Sequence, residues 1–237
     1  MHREKYGALL ISKTYVVTPV LVYANVLVFV AMVLAGLSPL QPTAKSLFEW
    51  GGNLAPAVVA GQWWRLFSYM FLHGGALHLI MNMFALLYIG MFLEPLMGRV
   101  RITGAYLLTG IFAGLLSIGI HTNSVGVGAS GAIFGMYGVF LSMLTTNHIQ
   151  KTQRKTMMRS ILFFVVYNLL AGLQGNTDNA AHIGGLLSGI AIGFAYYPGI
   201  AKKSSTKKQW ILTGVMTLIT LAVVMISVRV LSGYVRF

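Results

Sequence analysis

Seven apolar stretches alternate with short polar segments along this chain. They run Val16–Leu37, His78–Met97, Ile102–Ile120, Ser130–Thr146, Met157–Leu173, Ala180–Tyr197 and Trp210–Leu231. Each holds 17 to 22 residues, the length a helix needs to cross the hydrocarbon of a bilayer. Helices satisfy their own backbone groups where water is missing, so the pattern predicts spanning helices and not strands. The first stretch is too long for the core of a signal peptide and is kept as a span. The segment 38–77 is the one long connection. It carries Trp50, Trp63, Trp64, Phe67, Tyr69 and Phe71 with few charges, as suits a loop lying partly in the membrane–water boundary.

Charge gives the stretches a direction. Arg3, Lys5 and Lys13 precede the first stretch, and Arg99 and Arg101 follow the second. Lys151, Arg154, Lys155 and Arg159 follow the fourth, and Lys202, Lys203, Lys207 and Lys208 follow the sixth. Only Lys45, Arg65, Arg229 and Arg236 fall on the opposite side. Positive residues mark the cytoplasmic face, so the N-terminus is expected inside and the C-terminus outside. The net charge of +13 is thereby read as a topology signal, and nucleic acid is not expected as a partner. Composition agrees: 57% of the 237 residues are hydrophobic and 9% charged, against about 25% charged in soluble domains. The expected class is an all-α, multi-pass integral membrane protein, a polytopic helical bundle. A soluble enzyme, a disordered tail and, with no cysteine, a disulfide scaffold are excluded.

Polar residues inside such stretches are costly and are candidates for function. Ser130 follows Gly126-Val127-Gly128-Ala129 and opens the fourth stretch. His182, in Ala180-Ala181-His182-Ile183-Gly184-Gly185, opens the sixth. His78 and Asn82 open the second, four residues apart and therefore on one helical face. All three stretches enter from the same side, so the clusters share a depth. Gly131 and Gly135 on one helix, and Gly185 and Gly189 on another, permit close packing that would bring Ser130 to His182. Histidine titrates near neutrality and can activate a serine. Uncharged donors such as His78 and Asn82 suit a developing oxyanion. Taken singly, each residue reads as packing or as an interhelical hydrogen bond; taken together, they read as a site.

The acids are Glu4, Glu49, Glu94 and Asp178, too few and scattered for a carboxylate dyad. No His-Glu-x-x-His pair is present, so no metal is expected. Asp178 lies four residues before His182. It reads first as a helix cap in Asn176-Thr177-Asp178-Asn179 and second as an orienting group for the imidazole.

These clusters resemble the rhomboid family of intramembrane serine proteases over nearly the whole chain. Gly128-Ala129-Ser130-Gly131 looks like the family's Gly-x-Ser-Gly, and His78 to Asn82 like its His-x-x-x-Asn. Ala181-His182-Ile183-Gly184-Gly185 looks like the motif around its catalytic histidine, and Trp64-Arg65 like its Trp-Arg pair. His73, and Glu94 with Gly98 and Arg99, also fit. The resemblance implies a short cytoplasmic segment 1–15, a six-span catalytic core 16–197, a basic cytoplasmic loop 198–209 and an additional span in 210–237. It implies Ser130 as nucleophile and His182 as general base and acid. The Ser130 N–H, His78 and Asn82 would form the oxyanion hole, with Gly128, Gly131, Phe134 and Gly185 in support. Some members have tyrosine where this chain has Phe134, so a hydroxyl is missing there while ring packing on His182 is still allowed.

The implied activity is cleavage of single-span membrane proteins near the outer face, without a cofactor, in a water-filled cavity. The loop 173–180 would act as a cap and the fifth span as a side gate. Substrates would carry helix-weakening Gly, Pro or polar residues near their outer end. A catalytically inactive relative serving binding or quality control is the alternative, and a transporter is a further one. A bacterial cell membrane is the expected location. Oligomeric state and natural substrate are not legible.

Overall fold

The structure, a computed structural model, describes residues 10–146, 151–174 and 177–234. Arg3, Glu4, Lys5, Asn176 and Arg236, and the side chain of Lys151, lie outside the described residues. Among the described residues ten α-helices follow in order: α1 (Val17–Leu34), α2 (Ala44–Glu49), α3 (Ala55–Val59), α4 (Arg65–Ser68), α5 (Ala76–Met97), α6 (Arg99–Ile120), α7 (Ser130–Leu144), α8 (Lys151–Gly172), α9 (Asn179–Ala201) and α10 (Thr206–Ser232). A 3-10 turn, Tyr69–Phe71, extends α4. Five helices, α1, α5, α6, α9 and α10, are long and apolar enough to cross a membrane. The seven apolar stretches lie on α1, α5, α6, α7, α8, α9 and α10, but the ends differ. α8 starts before its apolar stretch and α9 runs past its own to Ala201. In α8 the added turns carry Arg154 and Lys155, and lysine and arginine are good helix formers, so there the loss of apolarity marks the edge of a stretch and not the end of a helix. The connection expected at 198–209 shrinks to Lys202–Ser205, because Ser205 caps α10 ahead of Lys207 and Lys208. The segment 38–77 is not plain loop: it folds into α2, α3, α4 and the 3-10 turn.

α7 is the axis of the bundle. Every residue from Gly131 to Leu144 is buried. It packs most extensively on α9, with α6 against both and α5 and α8 on its flanks. Glycines permit this closeness. A Cβ at Gly185 would stand 1.9 Å from the Gly131 carbonyl oxygen, and one at Gly189 would stand 2.0 Å from that of Gly135. α7 has 15 residues, about 22 Å at 1.5 Å per residue. α9 has 23, about 34 Å. A helix this short cannot reach both ends of the bundle, so one end of α7 sits below the level of its neighbours. α10 leans on α6 and touches α3, where Val224 and Val228 join Leu115, Ile118 and Val58.

The start of α1 is held by a distant acid. Glu94, on α5 and 2% exposed, accepts the N–H groups of Val16 and Val17 on Oε1 at 2.6 and 2.7 Å. Its Oε2 accepts the Thr18 N–H at 2.8 Å. Unpaired N–H groups at a helix start need acceptors, and a carboxylate is an acceptor on both oxygens. Glu94→Gln turns one acceptor into a donor facing the Thr18 N–H. We expect destabilisation of about 1.5–3 kcal/mol, the worth of one hydrogen bond to a charged group. A thermal melt of the purified variant measures it; an unchanged midpoint overturns the assignment.

Candidate active site

The helices α5, α7 and α9 begin at the same end of the bundle, around a cavity of about 1140 Å³. Ser130, His182, His78 and Asn82 all line it, together with Phe134. The cavity is rimmed by Ser117, His121, Ser124, Thr177 and Asp178, and it extends past Phe164, Tyr167 and Asn168 of α8. A second crevice of about 610 Å³ lies between α6, α9 and α10. Its lining, from Leu108 to Ser227, holds no titratable group, so it has nothing with which to do acid–base chemistry.

Ser130 is the first residue of α7 and half-buried. The preceding residue, Ala129, has no side chain to cap the helix, so the first-turn N–H groups have no side-chain acceptor there. A helix start with free N–H groups is a site for negative charge. The approach to Ser130 is held from outside the motif. Asn53 N–H donates to the Gly126 oxygen at 2.9 Å, and Gly126 N–H donates back at 2.8 Å. Gly128 N–H donates to the Tyr69 carbonyl oxygen at 2.9 Å. The Asn53 amide and the Tyr69 hydroxyl in turn donate to the Gly114 and Gly110 carbonyls of α6, at 2.9 and 2.6 Å. Asn53 and Tyr69 were not among the sequence candidates. Both look like ordinary loop residues in one dimension, and only their pairing with residues far along the chain reveals the role.

Gly128 is constrained both in its backbone and in its surroundings. Its φ is +123°, a region that favours glycine. A Cβ there would lie 2.8 Å from His78 Cε1, 2.9 Å from its Nε2 and 3.8 Å from Asn82 Nδ2. Both donors therefore face the backbone two residues ahead of Ser130. The Gly74 N–H approaches His78 Nδ1 at 3.3 Å, which makes Nδ1 the acceptor and leaves the proton on Nε2. Asn82 Nδ2 is buried with no hydrogen-bond partner among the described residues, an arrangement that costs stability and calls for a reason. His73 is fully buried and stands edge-on to His78, ring centroids 5.1 Å apart. Burial, reinforced by the neighbouring His78, lowers its pKa to about 3, so its ring stays neutral.

His182 sits in the first turn of α9, 4% exposed. Its ring lies flat on Phe134, centroids 4.1 Å apart and planes 3° apart. Its Nδ1 is buried without a partner among the described residues, so stacking and not a carboxylate orients the ring. Asp178 is engaged elsewhere: one oxygen caps α9 through the Ala181 N–H at 2.9 Å, and the other accepts the Ser117 hydroxyl. Among the described residues no hydrogen bond joins Ser130 to His182; what brings them to one cavity is the glycine seam of α7 and α9. Arg65 lies at a distance from the cavity lining. Its Nη1 donates to the Phe48 and Gly52 carbonyls at 2.7 and 2.9 Å, and its guanidinium stacks over the Phe48 and Trp64 rings. It ties the outer segment together. No group of three or more His, Asp or Glu side chains able to hold a metal occurs among the described residues.

The fold and the site define an integral membrane protein with a serine, two histidines and an asparagine converging on an internal cavity. The Rhomboid domain family matches residues 60–199. RHOMBOID-like protein 6, mitochondrial, of Arabidopsis thaliana is 41% identical over 156 residues, 65% of this chain and 51% of its own length. Rhomboid-like protease 1 of Toxoplasma gondii is 34% identical over 176 residues, 73% of this chain and 59% of its own. Rhomboid protease AarA of Providencia stuartii is 32% identical over 217 residues, 82% of this chain and 75% of its own. The chain spans about half the length of the Arabidopsis relatives it matches. The chain belongs to the rhomboid family.

Proposed function

We propose that the protein is an intramembrane serine endopeptidase that cleaves transmembrane helices near the outer face of the membrane. The observation that carries this reading is the single cavity shared by Ser130, His182, His78 and Asn82. Ser130 Oγ attacks the scissile carbonyl carbon as His182 takes its proton. The carbonyl oxygen becomes an oxyanion that accepts hydrogen bonds from the Ser130 N–H, the His78 Nε2–H and the Asn82 amide N–H. The C–N bond breaks as His182 returns the proton to the leaving amine, and an acyl-Ser130 remains. Water, activated by His182, hydrolyses it. The hydrolytic water comes from outside the membrane, which is why the site needs an aqueous cavity. The His182 nitrogen for this work is Nε2, since Nδ1 is buried.

The proposal includes the orientation expected from charge: N-terminus inside, seven spans of which the last is additional to a six-span core, and a site open to the outer side. It includes single-span membrane proteins as substrates, with helix-weakening residues near the cut, because a helical peptide bond is shielded until the helix opens. A bacterial cell membrane is the proposed setting, supported by the 82% coverage with AarA.

Labelling of the purified protein by a fluorophosphonate, lost in Ser130→Ala, tests the reading directly. Labelling that persists in the variant overturns it. The pH dependence is a second test. Only neutral imidazole accepts the Ser130 proton, so cleavage falls on the acid side as His182 gains a proton. The assay must follow folding as well. His73 stays neutral in the folded chain to about pH 3, whereas an unfolded histidine takes a proton near pH 6.5. Between those values the unfolded chain binds the extra proton, so stability declines as pH falls. A rate that stays flat over the whole range in which the protein remains folded contradicts the role of His182.

A further inference from the structure

Ser117 takes no part in the chemistry above, yet it occupies the point where the two arms of the site meet. It lies near the end of α6, 4% exposed. Its hydroxyl donates to one oxygen of Asp178, whose other oxygen caps α9. A Cβ on Gly126 would stand 3.5 Å from the Ser117 Oγ, so the same hydroxyl adjoins the segment that leads to Ser130. His121 also faces Asp178, but at 3.8 Å from Nε2 to Oδ1 it is beyond hydrogen-bond distance.

The tie has a physical task. α9 contacts its neighbours through glycines: Gly185 and Gly189 on α7, and Gly184 against Ala113 and Leu116 of α6. Such smooth faces set how close two helices come. They offer few interlocking side chains to set the height of one helix along the other. A directional polar bond at the helix end does that. His182 follows Asp178 by one turn, so the height of α9 is the height of the imidazole relative to Ser130. We infer that Ser117 and Asp178 form a latch that fixes the axial register of α9, making both positioning residues for the reaction at Ser130. The inference rests on the protease reading.

The test separates the latch from the cap. Ser117→Ala leaves the cap and removes the latch. Asp178→Ser also keeps a capping hydroxyl but is too short to reach Ser117. Asp178→Asn keeps both contacts, since its amide oxygen caps and its NH₂ donates to the Ser117 hydroxyl. With the full chain in liposomes and a transmembrane reporter substrate, Ser117→Ala and Asp178→Ser each lower kcat roughly 10–100-fold, the range set by small misplacement of reacting groups. KM changes by less than about twofold, as for a loss confined to the transition state. The double variant matches either single one, because the two changes remove one interaction. Asp178→Asn restores turnover. Additive losses, a change confined to KM, or unchanged kcat in the single variants overturns the latch while wild-type Ser130 still reacts with a fluorophosphonate. Wild-type protein that neither reacts nor cleaves sinks the protease reading and takes the latch with it.

Discussion

Ser130→Ala and His182→Ala are each expected to abolish cleavage of a transmembrane reporter, with a loss of order 10⁶ in kcat if the pair works as a unit like the members of a catalytic triad. The fold survives both changes for a stated reason. The α7–α9 contact is made by Gly131, Gly135, Gly185 and Gly189, none of which is touched. Ser130 is half-buried at a cavity wall, so its hydroxyl fills no core space. His182→Ala removes the ring stacked on Phe134, worth about 0.5–1.5 kcal/mol beyond its area, and lowers the melting midpoint by a few degrees at most. Rate and thermal midpoint, measured on the same preparations, give the answer. Full turnover in either variant ends the assignment, and collapse of the fold in Ser130→Ala contradicts the placement of its side chain.

The second large effect concerns His78 and Asn82, and it has an unusual stability signature. Each donor faces Gly128 just ahead of Ser130, where the oxyanion would form. Loss of one such donor costs about 10²–10³ in kcat, so His78→Ala and Asn82→Ala should each fall in that range. Asn82 Nδ2 is buried and unpaired, and a buried unpaired donor costs about 1–3 kcal/mol. Asn82→Ala removes that cost. The slow variant is therefore expected to melt at or above the wild-type midpoint. A purely structural asparagine would show the opposite: lower midpoint, normal rate. No change of rate in the double variant leaves these residues a packing role only.

Much of the proposed site is legible in the sequence because its candidate residues are rare types in an apolar chain. A serine among glycines, and histidines opening apolar stretches, stand out at a charged fraction of 9%. Placing all three clusters at one depth followed from counting crossings, and they line one cavity. Asn53 and Tyr69 were not legible, since they act through backbone bonds to Gly126 and Gly128, which any residue type can make. Ser117 does not stand out in the sequence for a similar reason: an alcohol inside an apolar helix is common, and its partner Asp178 lies 61 residues away. Glu94 fits a sequence pattern, but its work as the acceptor for α1 depends on two helices lying side by side.

Periodicity and apolar length by themselves determined that this chain forms long helices suited to lipid, because a backbone in hydrocarbon must bond to itself. Residue identity determined which side chains could act. Tertiary structure alone decided that α7 is short, enclosed and pressed on α9, that Phe134 and not an acid steadies His182, and that Asp178 is spent on a cap and on Ser117. Those outcomes depend on distances between segments remote in the chain, and no local pattern encodes them.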